Sequence, residues 1–172
     1  YLVPKNIAQK APFLVKLTHR IEAGLFRGIF WVIRRLSLEK ALGLAGGIFF
    51  LLGRASNKVP KARANLAVAF PDKPEEWRES TCREIFRHLG YSLVELIKLD
   101  QIWEERDQRI EYVLEPGARA HMESGKATIF ISAHVGTWQV ASLVTREFGF
   151  TTNAIVAPES NPVMQELMQD LR

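Results

Sequence analysis

The sequence predicts an α/β fold: amphipathic N-terminal helices followed by an α/β sheet domain that is incomplete at the C-terminal end. Three observations lead there. Helix-period apolar patterning runs through the first fifty residues. From Ile110 onward, apolar runs alternate with amphipathic stretches as strand, helix, strand, helix, strand, the spacing of an α/β unit with right-handed crossovers. The run IFISAHVGTWQV, Ile129 to Val140, places a histidine where a strand ends and a helix begins, the ligand-binding edge of an open α/β sheet.

Taken in order, Tyr1 to Pro12 is a lead-in, and helix extends to about Leu52 with a break near Ser37. Asn57 to Pro60 is a polar interruption. A short helix from Lys61 carries NLAVAF to the turn Pro71-Asp72-Lys73-Pro74. Glu75 to Leu99 is the clearest amphipathic helix, with Trp77, Cys82, Ile85, Phe86, Leu89, Leu93 and Leu96 on or near one face. Ile110 to Leu114 is a first strand. Pro116 to Ser124 is a helix with proline near its start and Gly125 at its end. A strand from Ala127 to Ala133, a helix from Thr137 to Glu147, a strand from Asn153 to Val156 and a helix from Asn161-Pro162 complete the pattern. The chain starts at Tyr1 and stops at Arg172 inside helical pattern, so it reads as part of a longer protein. The organisation is a basic, amphipathic region over 1–60 and the first part of the α/β domain over 61–172.

With 172 residues the chain can bury a sizeable core. Its only cysteine, Cys82, excludes a disulfide framework and a cysteine-built metal site, and its helical position makes it a core residue. Charge is distributed unevenly. Up to Arg63, twelve lysines and arginines face only Glu22 and Glu39, a net +10; the remaining eleven bases and seventeen acids leave −6. Such asymmetry points to a polyanionic partner on one side, nucleic acid or an anionic membrane.

Apolar content favours the membrane. In RIEAGLFRGIFWVIRRL, Arg20 to Leu36, bulky Phe, Ile and Trp lie beside Arg20, Arg27, Arg34 and Arg35, the composition of an interfacial helix. The run Ala41 to Leu52 is twelve residues, too short to span a bilayer, and its Gly43, Gly46 and Gly47 imply close packing. Each fully buried apolar side chain contributes roughly 1.5–3 kcal/mol, and each basic residue at an anionic surface contributes about 1 kcal/mol. Five or six partly inserted side chains therefore anchor a protein without a spanning segment. Burial of both helices in the core of a soluble domain is the competing reading.

The chemistry centres on His134. A neutral imidazole at a strand end can take a proton from a hydroxyl as that hydroxyl attacks a carbonyl. It needs a partner that fixes its tautomer, and a side chain in the first turn of the following helix can reach back. That position is Gln139. Gly136 allows a sharp turn, and Trp138 either lines a lipid groove or packs its helix. His19, His88 and His121 lie on amphipathic helical segments and read as structural. Ser132 lacks the glycine spacing of a nucleophile elbow.

SAHVGTWQ resembles the catalytic strand-loop-helix of the bacterial lipid A late acyltransferases, within the lysophospholipid (glycerolipid-type) acyltransferase superfamily, whose pattern is a histidine, four residues and an acid. ARANLAVAFPDKPEEWRE, Glu95 after GYSLV, Gly125-Lys126 and NPVMQELMQDLR match in place and type, so the resemblance covers about Glu22 to Arg172. It implies an O-acyltransferase at the cytoplasmic face of the inner membrane. Such an enzyme moves a fatty acyl chain from an acyl carrier protein or coenzyme A thioester to a lipid hydroxyl. It implies His134 as general base, residue 139 as its charge partner, and substrate contacts at Gly136, Thr137, Trp138 and Arg172. It brings in no cofactor, metal or nucleic acid. The departure is Gln139, an amide where the family has an acid. It leaves three readings open: an introduced substitution, a weak enzyme or one that draws on another acid, or a non-catalytic lipid-binding relative.

Overall fold

The computed structural model describes residues 12–133, 135–153 and 161–171. They fall into two compact units, residues 1–35 with 153–172, and residues 36–152. In the first unit, helix α1 spans Pro12–Arg35. Arg34 and Arg35 close its last turn beside the negative end of the helix dipole. Their guanidiniums sit over Phe30 and Trp31, 5.5 and 3.8 Å from the ring centroids, the one-turn spacing that lets such pairs meet. One side of α1 buries Ala23 and Ile33, whereas Phe13, Leu17, Ile21, Leu25, Ile29 and Val32 are all exposed. Their steps of four, four, four, four and three residues make a single apolar stripe. The last helix of the chain starts at Asn161. Its Oδ1 accepts from the backbone N–H groups of Val163 and Met164, at 3.0 and 3.3 Å, as an N-cap does. Its Nδ2 donates to the His19 carbonyl and the Glu22 carboxylate, which ties that helix to α1.

The second unit is organised by two helices, α2 (Leu38–Leu52) and α4 (Glu75–Ile97), with α3 (Val59–Ala69) against α4. Ser37 caps α2 through a bond from the Lys40 N–H. Close packing was expected of three glycines and is met at one. A Cβ on Gly46 would lie 2.3 Å from the Tyr91 ring, and one on Gly90 would lie 2.7 Å from the Ala45 carbonyl oxygen, so α2 and α4 touch backbone to backbone there. Gly43 and Gly47 face open space. Val59 and Leu66 of α3 pack with Cys82 and Phe86 of α4, flanked by Ala62 and Trp77, and Phe70 closes the cluster edge-on to Trp77 at 5.2 Å. Cys82 is a core residue, as expected, and burial raises its thiol pKa. Cys82, Phe86 and Leu96 of the expected α4 stripe are buried, but Ile85 and Leu89 are exposed.

Beyond α4 the unit continues through short helices: α5 (Leu99–Glu104), α6 (Arg106–Arg109), α7 (Pro116–Glu123), α8 (Trp138–Ala141) and α9 (Leu143–Glu147). α10 (Pro162–Leu171) belongs to the first unit. The expected helix over 137–147 is thus two pieces. Ser142 Oγ bonds the Gln139 carbonyl and Thr145 Oγ1 bonds the Ser142 carbonyl, side-chain bonds that compete with helix continuation.

The α/β expectation is corrected here: the described residues are all-helical and contain no strand or sheet. Ile110 to Leu114 and Ala127 to Ala133 are irregular, and of the third expected strand only Asn153 lies among the described residues. An apolar run reports a wish for burial, whereas a strand also requires a second backbone at about 4.8 Å to take its N–H and C=O groups. Neither segment has such a ladder. Ile129 and Ile131 are 89% and 93% exposed, Thr128 and Ser132 turn their hydroxyls onto nearby carbonyls, and only Phe130 finds a ring partner, Phe150. No helix among the described residues is long and apolar enough to cross a membrane.

Candidate functional site

The turn that opens α8 carries four of the expected site residues. Gly136 has φ +56°, the left-handed region that glycine enters without steric cost, and the chain reverses there into Thr137. The Val140 N–H then bonds the Thr137 carbonyl at 2.9 Å and starts the first helical turn. Trp138 and Gln139 are half-buried. His134 and Arg172, the other two expected residues, lie outside the described residues.

What holds this turn is α4. Thr137 Oγ1 donates to the Glu95 carboxylate and lies 3.5 Å from Ser92 Oγ. Glu95 projects from an otherwise apolar stretch, LVELI, whose Val94, Leu96 and Ile97 are buried. Burial pushes its carboxyl pKa above the ordinary carboxylate value, and the nearby His88 pulls weakly the other way. Sequence reading matched Glu95 to its place without giving it a role. The signal was there, since a carboxylate inside an apolar helical run needs a polar partner.

Gln139 presents the second feature. Its Oε1 is buried and has no hydrogen-bond partner among the described residues. Most buried polar atoms are paired, because an unsatisfied acceptor costs roughly 1–3 kcal/mol, so this oxygen is an open acceptor among the described residues. Arg106 pairs with Glu147 at 3.0 Å, and the guanidiniums of Arg106 and Arg146 lie over the Trp103 ring, 4.5 and 4.3 Å from its centroid. These contacts fix the far end of α9. His121 shares a bond with Thr128 at 3.1 Å, and His88 meets Tyr91 edge-on. Ser132 is exposed and spends its hydroxyl on the Ala133 carbonyl.

Residues 10–172 match the family model described as bacterial lipid A biosynthesis acyltransferase. Nothing among curated proteins matches the chain, and nothing among solved structures does.

Proposed function

The chain belongs to the bacterial lipid A biosynthesis acyltransferases, and on that premise we propose that it acylates a hydroxyl of a lipid A precursor or related glycolipid. The donor is an acyl carrier protein or coenzyme A thioester. His134 removes the hydroxyl proton as the oxygen attacks the thioester carbonyl. The tetrahedral adduct collapses, the C–S bond breaks, and the imidazolium returns the proton to the departing thiolate. The products are an ester and a thiol, with no cofactor required. Gly136, Thr137 and Trp138 face the substrate, and Arg172 meets a substrate phosphate.

The observation that carries this reading is the family match over residues 10–172; within it, the buried Gln139 Oε1 is an acceptor that meets no donor among the described residues. An imidazole N–H five positions upstream in sequence is the donor such an acceptor calls for, and that bond fixes the tautomer in which the other ring nitrogen is free to act as base. An amide holds the tautomer but supplies no charge to the imidazolium. In a serine-protease triad the carboxylate-to-amide change costs about 10⁴ in rate. Slow turnover is therefore expected of this chain, with Glu95 as a positioning residue that fixes the turn through Thr137.

The exposed stripe on α1 supports membrane attachment through residues 1–60, peripherally and at the cytoplasmic face of the inner membrane. Arg20, Arg27 and Arg34 recur every seven residues along its border, where they meet anionic headgroups.

Transfer of a radiolabelled acyl group from thioester to lipid tests the proposal. Q139E is expected to raise the rate by roughly 10²–10⁴, and H134A to abolish it. A Q139E protein that binds lipid yet stays silent would establish the alternative, a non-catalytic membrane- and lipid-binding relative.

A further inference from the structure

Two cavities of the second unit share a wall, the first between α3 and α4 and the second between α2 and α4. The first, of about 290 Å³, is lined by Arg54, Arg63 and Arg83 with Glu79 as its acid. The second, of about 240 Å³, is lined by Ile48, Phe49, Leu52 and Leu89. They share the Phe86 side chain. That ring can stand between them because residue 53 is glycine: a Cβ there would lie 2.3 Å from the Phe86 ring.

The polar cavity is cationic in balance. Glu79 engages Arg63 with both oxygens, at 2.5 and 2.7 Å, the fork geometry that consumes a carboxylate. Arg54 and Arg83 have no ion pair among the described residues. Two uncompensated guanidiniums beside a third match the charge of a phosphate monoester, −1.5 to −2 near neutral pH. The apolar cavity is open. Leu52 is 69% exposed and Leu89 54%, although both adjoin a core that could have covered them. Nucleic acid or an acidic protein surface would use the arginines and leave the hydrocarbon wet. A molecule with a phosphate at one end and an acyl chain at the other satisfies both cavities at once.

We propose that this pair of cavities seats one anionic lipid, its phosphate among Arg54, Arg63 and Arg83 and an acyl chain along Ile48, Leu52 and Leu89. The site deepens the membrane part of the proposed function and does not depend on acyl transfer. It gives the second unit its own grip on the bilayer, built on residues other than those of α1.

Monomeric dihexanoyl phosphatidic acid, kept below its micelle concentration, tests the seat without a membrane. Titration of the full chain by calorimetry is expected to show binding at least tenfold tighter than to dihexanoyl phosphatidylcholine. R54Q/R83Q should weaken it tenfold or more, and L89Q should weaken lipid binding while leaving affinity for inorganic phosphate unchanged. Circular dichroism checks that both variants keep the helical fold. Equal affinity for the two lipids, or no loss in R54Q/R83Q, overturns the proposal. Inorganic phosphate binding as tightly as the lipid also overturns it and leaves a free-phosphate site. Capture of the chain by phosphatidylglycerol vesicles without binding of the monomer overturns the seat while the membrane reading stands; failure of both removes both.

Discussion

Helix α4 and the segment from 110 to 152 both carry apolar runs, and the fold treats them in opposite ways. α4 spends most of its apolar residues on packing: Cys82, Phe86, Val94, Leu96 and Ile97 are buried, Ile85 and Leu89 are exposed, and Gly90 lets α2 approach to backbone distance. The later segment leaves Val113, Ile129, Ile131 and Val135 exposed and is built of short helical pieces. The described residues of the proposed site, Gly136 to Gln139, sit in the later segment. It is tied to α4 by the hydrogen bonds of Thr137 with Glu95 and Ser92. The turn of the proposed site is therefore held by a helix that carries none of the expected catalytic groups.

The sharpest way to break that contrast is to delete one apolar side chain from each region. F86A removes a ring from the Val59, Leu66 and Cys82 cluster and is expected to cost about 3–5 kcal/mol, the range for large buried aromatics. I131A removes a side chain that is almost wholly exposed and is expected to change stability by under about 0.5 kcal/mol. Urea unfolding followed by far-ultraviolet circular dichroism reads both. Similar losses in the two variants would show that the later segment is packed after all.

The same contrast explains what was legible in the sequence. Helices were, because a helix satisfies its backbone internally and its amphipathic period records which face is buried: α4, α7 and the start of α10 fall where the patterning put them. Strands were not, because IFIS states only that Ile129, Phe130 and Ile131 are apolar, and pairing is a property of two segments. The helix over 137–147 was overestimated for a local reason, the hydroxyls of Ser142 and Thr145 bonding backbone carbonyls. At the site, the contiguous group Gly136 to Gln139 could be read directly. Its support could not, since Ser92 and Glu95 lie more than forty residues upstream and only folding brings them to Thr137.

Cutting the tie itself comes next in size. T137V keeps the shape of the side chain and removes the hydroxyl that Glu95 accepts from. A hydrogen bond to a carboxylate is worth about 1.5–3 kcal/mol, so acyl transfer is expected to fall roughly 10- to 100-fold if that energy holds the turn in its productive form. The loss should appear in kcat with KM unchanged, and T137S should restore most of it. Amide exchange over residues 135–142 should quicken in T137V and not in T137S, a readout that needs no turnover. A T137V protein with full activity and unchanged exchange would show that the turn holds itself.

The smallest effect comes from the charge on Glu95, and its sign follows from burial. Because burial raises the carboxyl pKa in the folded state, the native protein holds this proton to higher pH than the unfolded chain does. Between the unfolded value, about 4.3, and the raised folded value, the folded state binds more protons, so stability falls as pH rises through that window. Below the window the two states are protonated alike and the penalty is absent; above it the penalty is complete. E95Q keeps an acceptor for Thr137 and cannot ionise. The variant is therefore expected to match the wild type in Tm near pH 4 and to exceed it near pH 7, by an amount softened by the half-exposure of the group. An E95Q protein that matches the wild type near pH 4 and falls below it in Tm near pH 7 would mean that Glu95 is stabilised as the anion, with His88 rather than burial setting its charge.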